Sequence, residues 1–134
     1  MGSMRVLGID YGARRIGVAL GDTETRVASP WAVLEVARLE ALQKIREMAQ
    51  KEGAVKIVVG IPHPLGDQRR ETGQAQEIRR FILDLGAQGL DVLEWDETLS
   101  SKVASVQAQD RGGHGKRDDL AAAAILQSWL DRKK

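Results

Sequence analysis

The strongest constraint on the fold is one short apolar segment near the middle of the chain. It reads Lys56-Ile57-Val58-Val59-Gly60-Ile61, is rich in β-branched residues, and is followed by Pro62. A strand with this composition is typically buried on both faces, which requires helices on both sides of a sheet. The segment therefore predicts the central strand of a three-layer α/β fold with a mixed sheet.

Helical patterns flank this strand. Before it, apolar residues recur at helical spacing up to a stop at Gly53, namely Leu39, Leu42, Ile45, Met48 and Ala49. After it, the pattern predicts a helix from about Glu71 to Leu85, closed by Gly86 and Gly89, and then a short strand, Leu90–Trp95. Two more helices are predicted, one over 100–109 and an alanine-rich one over 118–130.

The chain opens with a predicted β-hairpin. Strands over 5–10 and 16–21 are joined by a tight turn around Gly12. A third strand is expected from Val27 to Val33, and Pro30 within it favours the edge of the sheet. The hairpin is also rich in glycine, which indicates close backbone approach at positions 8, 12, 17 and 21.

The size and composition of the chain predict one globular domain. The chain has 134 residues, of which 43% are hydrophobic and 29% are charged, and this is an ordinary globular balance. Met1-Gly2-Ser3 look like a cloning remnant ahead of Met4, which leaves residues 4–134 as a single domain. Because the sequence contains no cysteine, no export leader and no long apolar run, we expect a cytoplasmic protein without membrane segments.

The charge of the chain favours local rather than global contact with a polyanion. The net charge is only +1, but basic residues occur in pairs, at 14–15, 69–70, 79–80, 116–117 and 132–133. Each pair, taken alone, is compatible with a solvated face or with phosphate contacts. The pairs nearest to the candidate acids are the candidate substrate-binding residues, Arg14, Arg15, Lys116 and Arg117.

Acidic residues stand at the ends of several predicted elements. Asp10 and the pair Asp96-Glu97 end strands, and Asp118 begins the last helix. Ligands of such sheets collect at the carboxyl ends of the strands. Clustered carboxylates are the preferred ligands of Mg²⁺ or Mn²⁺, and two such ions about 3.5–4 Å apart can hydrolyse a phosphodiester. Each acid could instead serve as a helix cap or a turn residue.

Four sequence blocks resemble the YqgF family, which is also called RuvX. The first runs from Gly8-Ile9-Asp10-Tyr11-Gly12 through Arg15-Ile16-Gly17, and the second is Gly60-Ile61-Pro62. The third and fourth are Asp96-Glu97-x-Leu99-Ser100 and Lys116-x-Asp118 followed by Ala121-Ala122. The blocks occur in the family's order over nearly the whole chain, which makes the resemblance specific.

The resemblance implies an RNase H-like fold related to the Holliday junction resolvase RuvC. It also implies a metal-dependent endonuclease whose catalytic and metal-binding acids are Asp10, Glu97 and Asp118, with Asp119 a less favoured alternative to Asp118. The family is associated with maturation of the 5′ end of 16S ribosomal RNA, and some members are discussed as junction resolvases. A homodimer is expected by analogy with RuvC-type enzymes.

The sequence departs from the family pattern in two places and leaves alternatives open. Thr98 stands where the third block usually has arginine, a role that Arg14, Arg15 or Arg117 could take, and the loop after Pro62 is short. An actin-like ATPase or sugar kinase is disfavoured, because one domain cannot supply its two lobes. A nucleic-acid-binding module without cleavage stays possible. Precursor 16S rRNA is favoured as substrate over a four-way DNA junction.

Overall fold

The structure is a computed structural model that describes residues 4–12, 14–61, 73–96 and 118–132. Within these residues the chain forms five strands and three helices. In chain order they are β1 (Arg5–Tyr11), β2 (Ile16–Asp22), β3 (Val27–Leu34), α1 (Arg38–Glu52), β4 (Ala54–Ile61), α2 (Gly73–Ala87), β5 (Val92–Asp96) and α3 (Asp118–Asp131).

The described strands form one mixed sheet in the order β3-β2-β1-β4-β5. Strand β1 pairs antiparallel with β2 and parallel with β4, and β4 in turn pairs parallel with β5. The predicted N-terminal hairpin and mixed sheet are therefore confirmed. Pro30 lies in β3, at an edge of the sheet, where the missing N–H does not interrupt a central ladder.

Helices cover both faces of the sheet and create two hydrophobic cores. On one face, Leu7 and Ile9 of β1 pack in a core with Ile45 of α1 and Phe81 of α2. On the other face, Val6 of β1 joins a second core built largely from α3, with Leu126, Trp129 and Leu130 among its members. Successive residues of a strand point to opposite faces, so the continuous apolar runs of β1 and β4 supply both cores.

Helix α3 lies very close to the hairpin strands. A Cβ on Gly8 would come within 2.7 Å of the Leu126 Cβ and 2.9 Å of the Ala122 carbonyl oxygen. Real Cβ atoms do not approach other atoms so closely, so only glycine permits this packing. The close backbone approach that the hairpin glycines predict is confirmed here.

Element boundaries differ from the sequence expectations by a few residues. Helix α1 ends at Gly53 as predicted, with the glycine in the left-handed conformation at φ 67°. Helix α2 starts and ends two residues later than predicted, because it continues through Gly86 and the chain turns instead at Gly89, with φ 89°. The predicted helix over 100–109 lies outside the described residues.

None of the helices in the described parts of the chain combines the length and the apolar character that a membrane span needs.

Candidate active site

Asp10 lies at the carboxyl end of β1, on the sheet face that α3 covers. The alternation of the strand places its side chain on the same face as Val6 and Gly8, whose contacts are with α3. Its cross-strand neighbour in β2 is Gly17. The residue is half-buried, so a ligand at this carboxylate would be partly shielded from water.

The first residue of α3 rests directly on this position of the sheet. A Cβ on Gly17 would stand 1.9 Å from the carbonyl oxygen of Asp118 and 2.9 Å from the backbone nitrogen of Asp119. The missing side chain of Gly17 therefore allows α3 to begin against β2, across from Asp10. This contact brings Asp10 and Asp118, which are distant in sequence, to one face and one edge of the sheet.

The third predicted acid, Glu97, lies outside the described residues. It follows Asp96, the last residue of β5, which pairs with Ile61 at the end of β4. The parallel strands β1, β4 and β5 thus end at the same edge of the sheet. Among the described residues, no three acidic or histidine side chains are grouped closely enough to hold a metal ion, so the cluster of three acids stays a prediction.

Arg15 supplies positive charge beside Asp118. Its Nε lies 3.4 Å from Asp118 Oδ2, and one terminal nitrogen lies 4.0 Å from Glu35 Oε2. The Asp118 side chain is 13% exposed, whereas that of Arg15 is 46% exposed. Arg14 is exposed and has no ion pair with a described carboxylate. The other two candidate substrate-binding residues, Lys116 and Arg117, lie outside the described residues.

The donor chemistry at this edge fits a divalent metal ion. Asp10 and Asp118 are carboxylates, the oxygen ligands that Mg²⁺ and Mn²⁺ prefer. The site also attracts a cation in the structure, since a guanidinium group lies against the Asp118 carboxylate. Asp119 differs from its neighbour, because its Oδ1 accepts a hydrogen bond from the backbone N–H of Leu120.

The sequence does not predict a polar cluster that lies on the opposite face of the sheet. The Tyr11 hydroxyl donates a hydrogen bond to Glu77 Oε2 at 3.2 Å, and Arg38 pairs with Asp84. Burial, followed by the negative charge of Glu77, raises the pKa of Tyr11. A surface cavity of about 360 Å³ is lined by Arg38, Gln76, Glu77 and Arg80. These contacts join residues far apart in the chain, so no local pattern signals them.

The sequence of the chain matches a known family over almost its full length. The family profile is that of RuvX, described as a Holliday junction resolvase, and it matches residues 4–132. The chain belongs to the RuvX family. A relative from Thermus thermophilus with the name "Putative pre-16S rRNA nuclease" is 33% identical, over 96% of this chain and 98% of its own length. A relative of the same name from Syntrophus aciditrophicus is 38% identical, over 96% and 89%.

The fold is similar to that of solved resolvases. Thermus thermophilus RuvC in complex with a Holliday junction substrate superimposes with a TM-score of 0.67, at 16% identity, over 97% of this chain and 95% of that one. The predicted RuvC-related fold and the predicted family are confirmed. The predicted class of activity, a nuclease, is the class that the family description and the relatives' names both give.

Proposed function

We propose that this RuvX protein is a divalent-metal-dependent endonuclease that trims the 5′ end of precursor 16S rRNA in the cytoplasm. The observation that supports the proposal is the contact between Gly17 and the backbone of Asp118, which starts α3 beside the cross-strand partner of Asp10. Two acids on one face at the carboxyl edge of the sheet, in a nuclease family, are suited to hold a metal ion at a phosphodiester.

Each candidate residue has a definite role in this proposal. Asp10 and Asp118 hold the metal, with Glu97 as the third ligand. A divalent metal held there would activate a water molecule at neutral pH and stabilise charge on the leaving oxygen. Arg15 is the residue just before β2 in the hairpin. In this proposal it contacts a phosphate of the strand being cut, as guanidinium groups commonly do.

The charge of the chain favours an RNA substrate over a four-way junction. With a net charge of +1, the protein has little excess positive charge to set against the many phosphates of a junction. A single RNA strand needs few contacts, and the basic pairs at 14–15 and 116–117 can supply them. The relatives' names also refer to pre-16S rRNA. Junction resolution is the second candidate, favoured by the family description and by the similarity to RuvC.

The decisive experiment compares the two substrates side by side. Purified protein is incubated with precursor 16S 5′-end RNA and with a synthetic four-way DNA junction, in Mg²⁺, in Mn²⁺ and in chelator. We expect cleavage of the RNA near the mature 5′ end with either metal and none in chelator. Symmetric cleavage of the junction with the RNA left intact would overturn the ribosomal assignment.

Two variants connect the activity to the proposed site. Asp10→Asn keeps the side-chain volume and removes the charge that holds the metal, so we expect cleavage to be lost while the fold is retained. Asp91→Asn is the matched control. Asp91 is an exposed acid that pairs with Lys56. It precedes β5, so it lies near the amino ends of the parallel strands and not at their carboxyl ends. Full activity of Asp10→Asn would exclude Asp10 as a metal ligand.

A further inference from the structure

The guanidinium group of Arg15 occupies part of the coordination space that the proposed site needs. Arg15 Nε approaches Asp118 Oδ2 at 3.4 Å, and Asp118 is one of the two described acids proposed to bind the metal. A carboxylate oxygen that faces a guanidinium N–H presents the same lone pairs that a metal ion would use. The two cations therefore compete for one side chain.

The hairpin fixes Arg15 in this position. Tyr11 pairs with Ile16 where β1 and β2 meet the turn, so Arg15 stands one residue before β2. By strand alternation it is on the same face as Gly17, the residue that contacts the backbone of Asp118. The ion pair is thus a consequence of hairpin register and of the close packing of α3.

The surroundings of Arg15 allow its ion pair with Asp118 to break. The Arg15 side chain is 46% exposed, so water can solvate its guanidinium group, and the 3.4 Å separation from Asp118 is longer than that of a strong charge-assisted hydrogen bond. Glu35 lies on the other side of the same guanidinium, at 4.0 Å, and is itself 66% exposed. Arg15 can therefore leave Asp118 without losing every anionic neighbour.

We propose that Arg15 is a resident cation that the metal must displace from Asp118, and that the displaced guanidinium then binds a phosphate of the incoming strand. This inference rests on the proposed function, since it assumes that Asp118 binds a metal. Metal binding and phosphate binding by Arg15 are then linked. With a metal bound, Asp118 would no longer hold the guanidinium, and Arg15 would be available to the substrate only in the loaded site.

The first test measures metal affinity without nucleic acid. Isothermal titration with Mg²⁺ and with Mn²⁺ is carried out on the wild type, Arg15→Gln and Arg14→Gln. We expect Arg15→Gln to bind metal roughly two- to fivefold more tightly, the factor that one exposed ion pair supplies. Arg14→Gln removes the same charge one residue away without breaking an ion pair to any carboxylate in the described part of the chain, so its affinity should change much less.

The second test measures affinity for a single-stranded RNA with hydrolysis-resistant linkages. In Mg²⁺, Arg15→Gln should bind this RNA more weakly than the wild type. In chelator, the difference should shrink, because Arg15 is then held by Asp118. A purely structural role for Arg15 would not make metal binding stronger and RNA binding weaker in the same variant.

The outcomes separate this inference from the proposed function. If the wild type binds neither Mg²⁺ nor Mn²⁺, the proposed function fails and the inference fails with it. If the wild type binds metal but Arg15→Gln and Arg14→Gln behave alike, only the inference is overturned. In an Asp118→Asn background, Arg15→Gln should no longer tighten the residual metal binding, and persistence of the effect would also contradict the inference.

Discussion

Asp10 and Tyr11 are adjacent in β1, but they serve opposite faces of the sheet. Asp10 is on the face of α3, near Asp118, whereas Tyr11 packs on the other side against Phe81, with ring centroids 4.5 Å apart. The Tyr11 hydroxyl reaches Glu77 in the polar cluster there. One dipeptide therefore contributes a candidate metal ligand to one face and a buried hydrogen bond to the other.

The ionisation of Tyr11 should make the stability of the protein depend on pH in the alkaline range. Burial and the charge of Glu77 favour the neutral phenol and raise its pKa above the ordinary value of about 10. The resulting stabilisation is complete below pH about 10 and is lost as the pH rises through the raised pKa. Tyr11 is the one tyrosine in the chain, so tyrosinate absorbance during an alkaline titration measures its pKa directly.

A variant separates the two causes of this pKa shift. Glu77→Gln removes the negative charge but leaves Tyr11 buried, so we expect its titration midpoint to fall between that of the wild type and that of the unfolded chain. An unchanged titration midpoint in Glu77→Gln would contradict the contact with Glu77.

The positions of the candidate site residues can be predicted from sequence where the ends of their elements can be predicted. Asp10 and Asp118 stand at a strand end and a helix start, so a general rule and the family blocks both select them. The partner of Arg15 was not predictable, because the ion pair with Asp118 requires the packing of α3 on β2. The same holds for Arg38 and Asp84, which lie 46 residues apart in the chain.

The close packing of α3 on the glycines of the hairpin strands determines where this helix starts. Gly17→Ala would place a Cβ 1.9 Å from the carbonyl oxygen of Asp118. Because this oxygen belongs to the backbone, no side-chain rotation can relieve the clash. The helix start or the strand must therefore move. We expect a loss of about 1–3 kcal/mol in the free energy of unfolding, measured by urea denaturation, together with weaker metal binding.

Gly86→Ala is the matched control for this prediction. Gly86 lies in α2, and a Cβ there would meet nothing within 4 Å. Alanine lowers the entropy of the unfolded chain and suits a helix better, so this variant should gain up to about 1 kcal/mol. Equal effects of the two substitutions would show that close packing at Gly17 is not what constrains the helix.

The order of the elements followed from hydrophobic periodicity, whereas their exact ends did not. The run Lys56–Ile61 identified the central strand, but β4 begins earlier, at Ala54, since pairing with β1 extends it beyond its apolar part. Local propensity predicts a helix stop at Gly86. The helix continues through it because glycine in a last turn carries only a modest cost.

The number of copies of the protein that a cleavage reaction requires depends on the substrate. Within one chain the backbone of Asp118 lies against Gly17, the cross-strand partner of Asp10, so under the proposed function a single copy supplies both candidate ligands. Trimming one RNA strand requires one such site, whereas symmetric cleavage of a junction requires two. The homodimer expected from the resemblance to RuvC-type enzymes therefore stays a prediction, and it would be required for junction cleavage alone.

A mixing experiment measures this requirement directly. Wild-type protein is mixed with inactive Asp10→Asn protein at constant total concentration, and the mixture is left to exchange before substrate is added. For trimming of precursor 16S RNA we expect the rate to fall in proportion to the wild-type fraction, because each site works alone even within a dimer. If paired sites must act together, the rate falls instead with the square of that fraction, since only dimers with two active copies complete the reaction. A quadratic dependence with the RNA substrate would contradict the one-site mechanism proposed here and would point to coordinated cleavage of two strands.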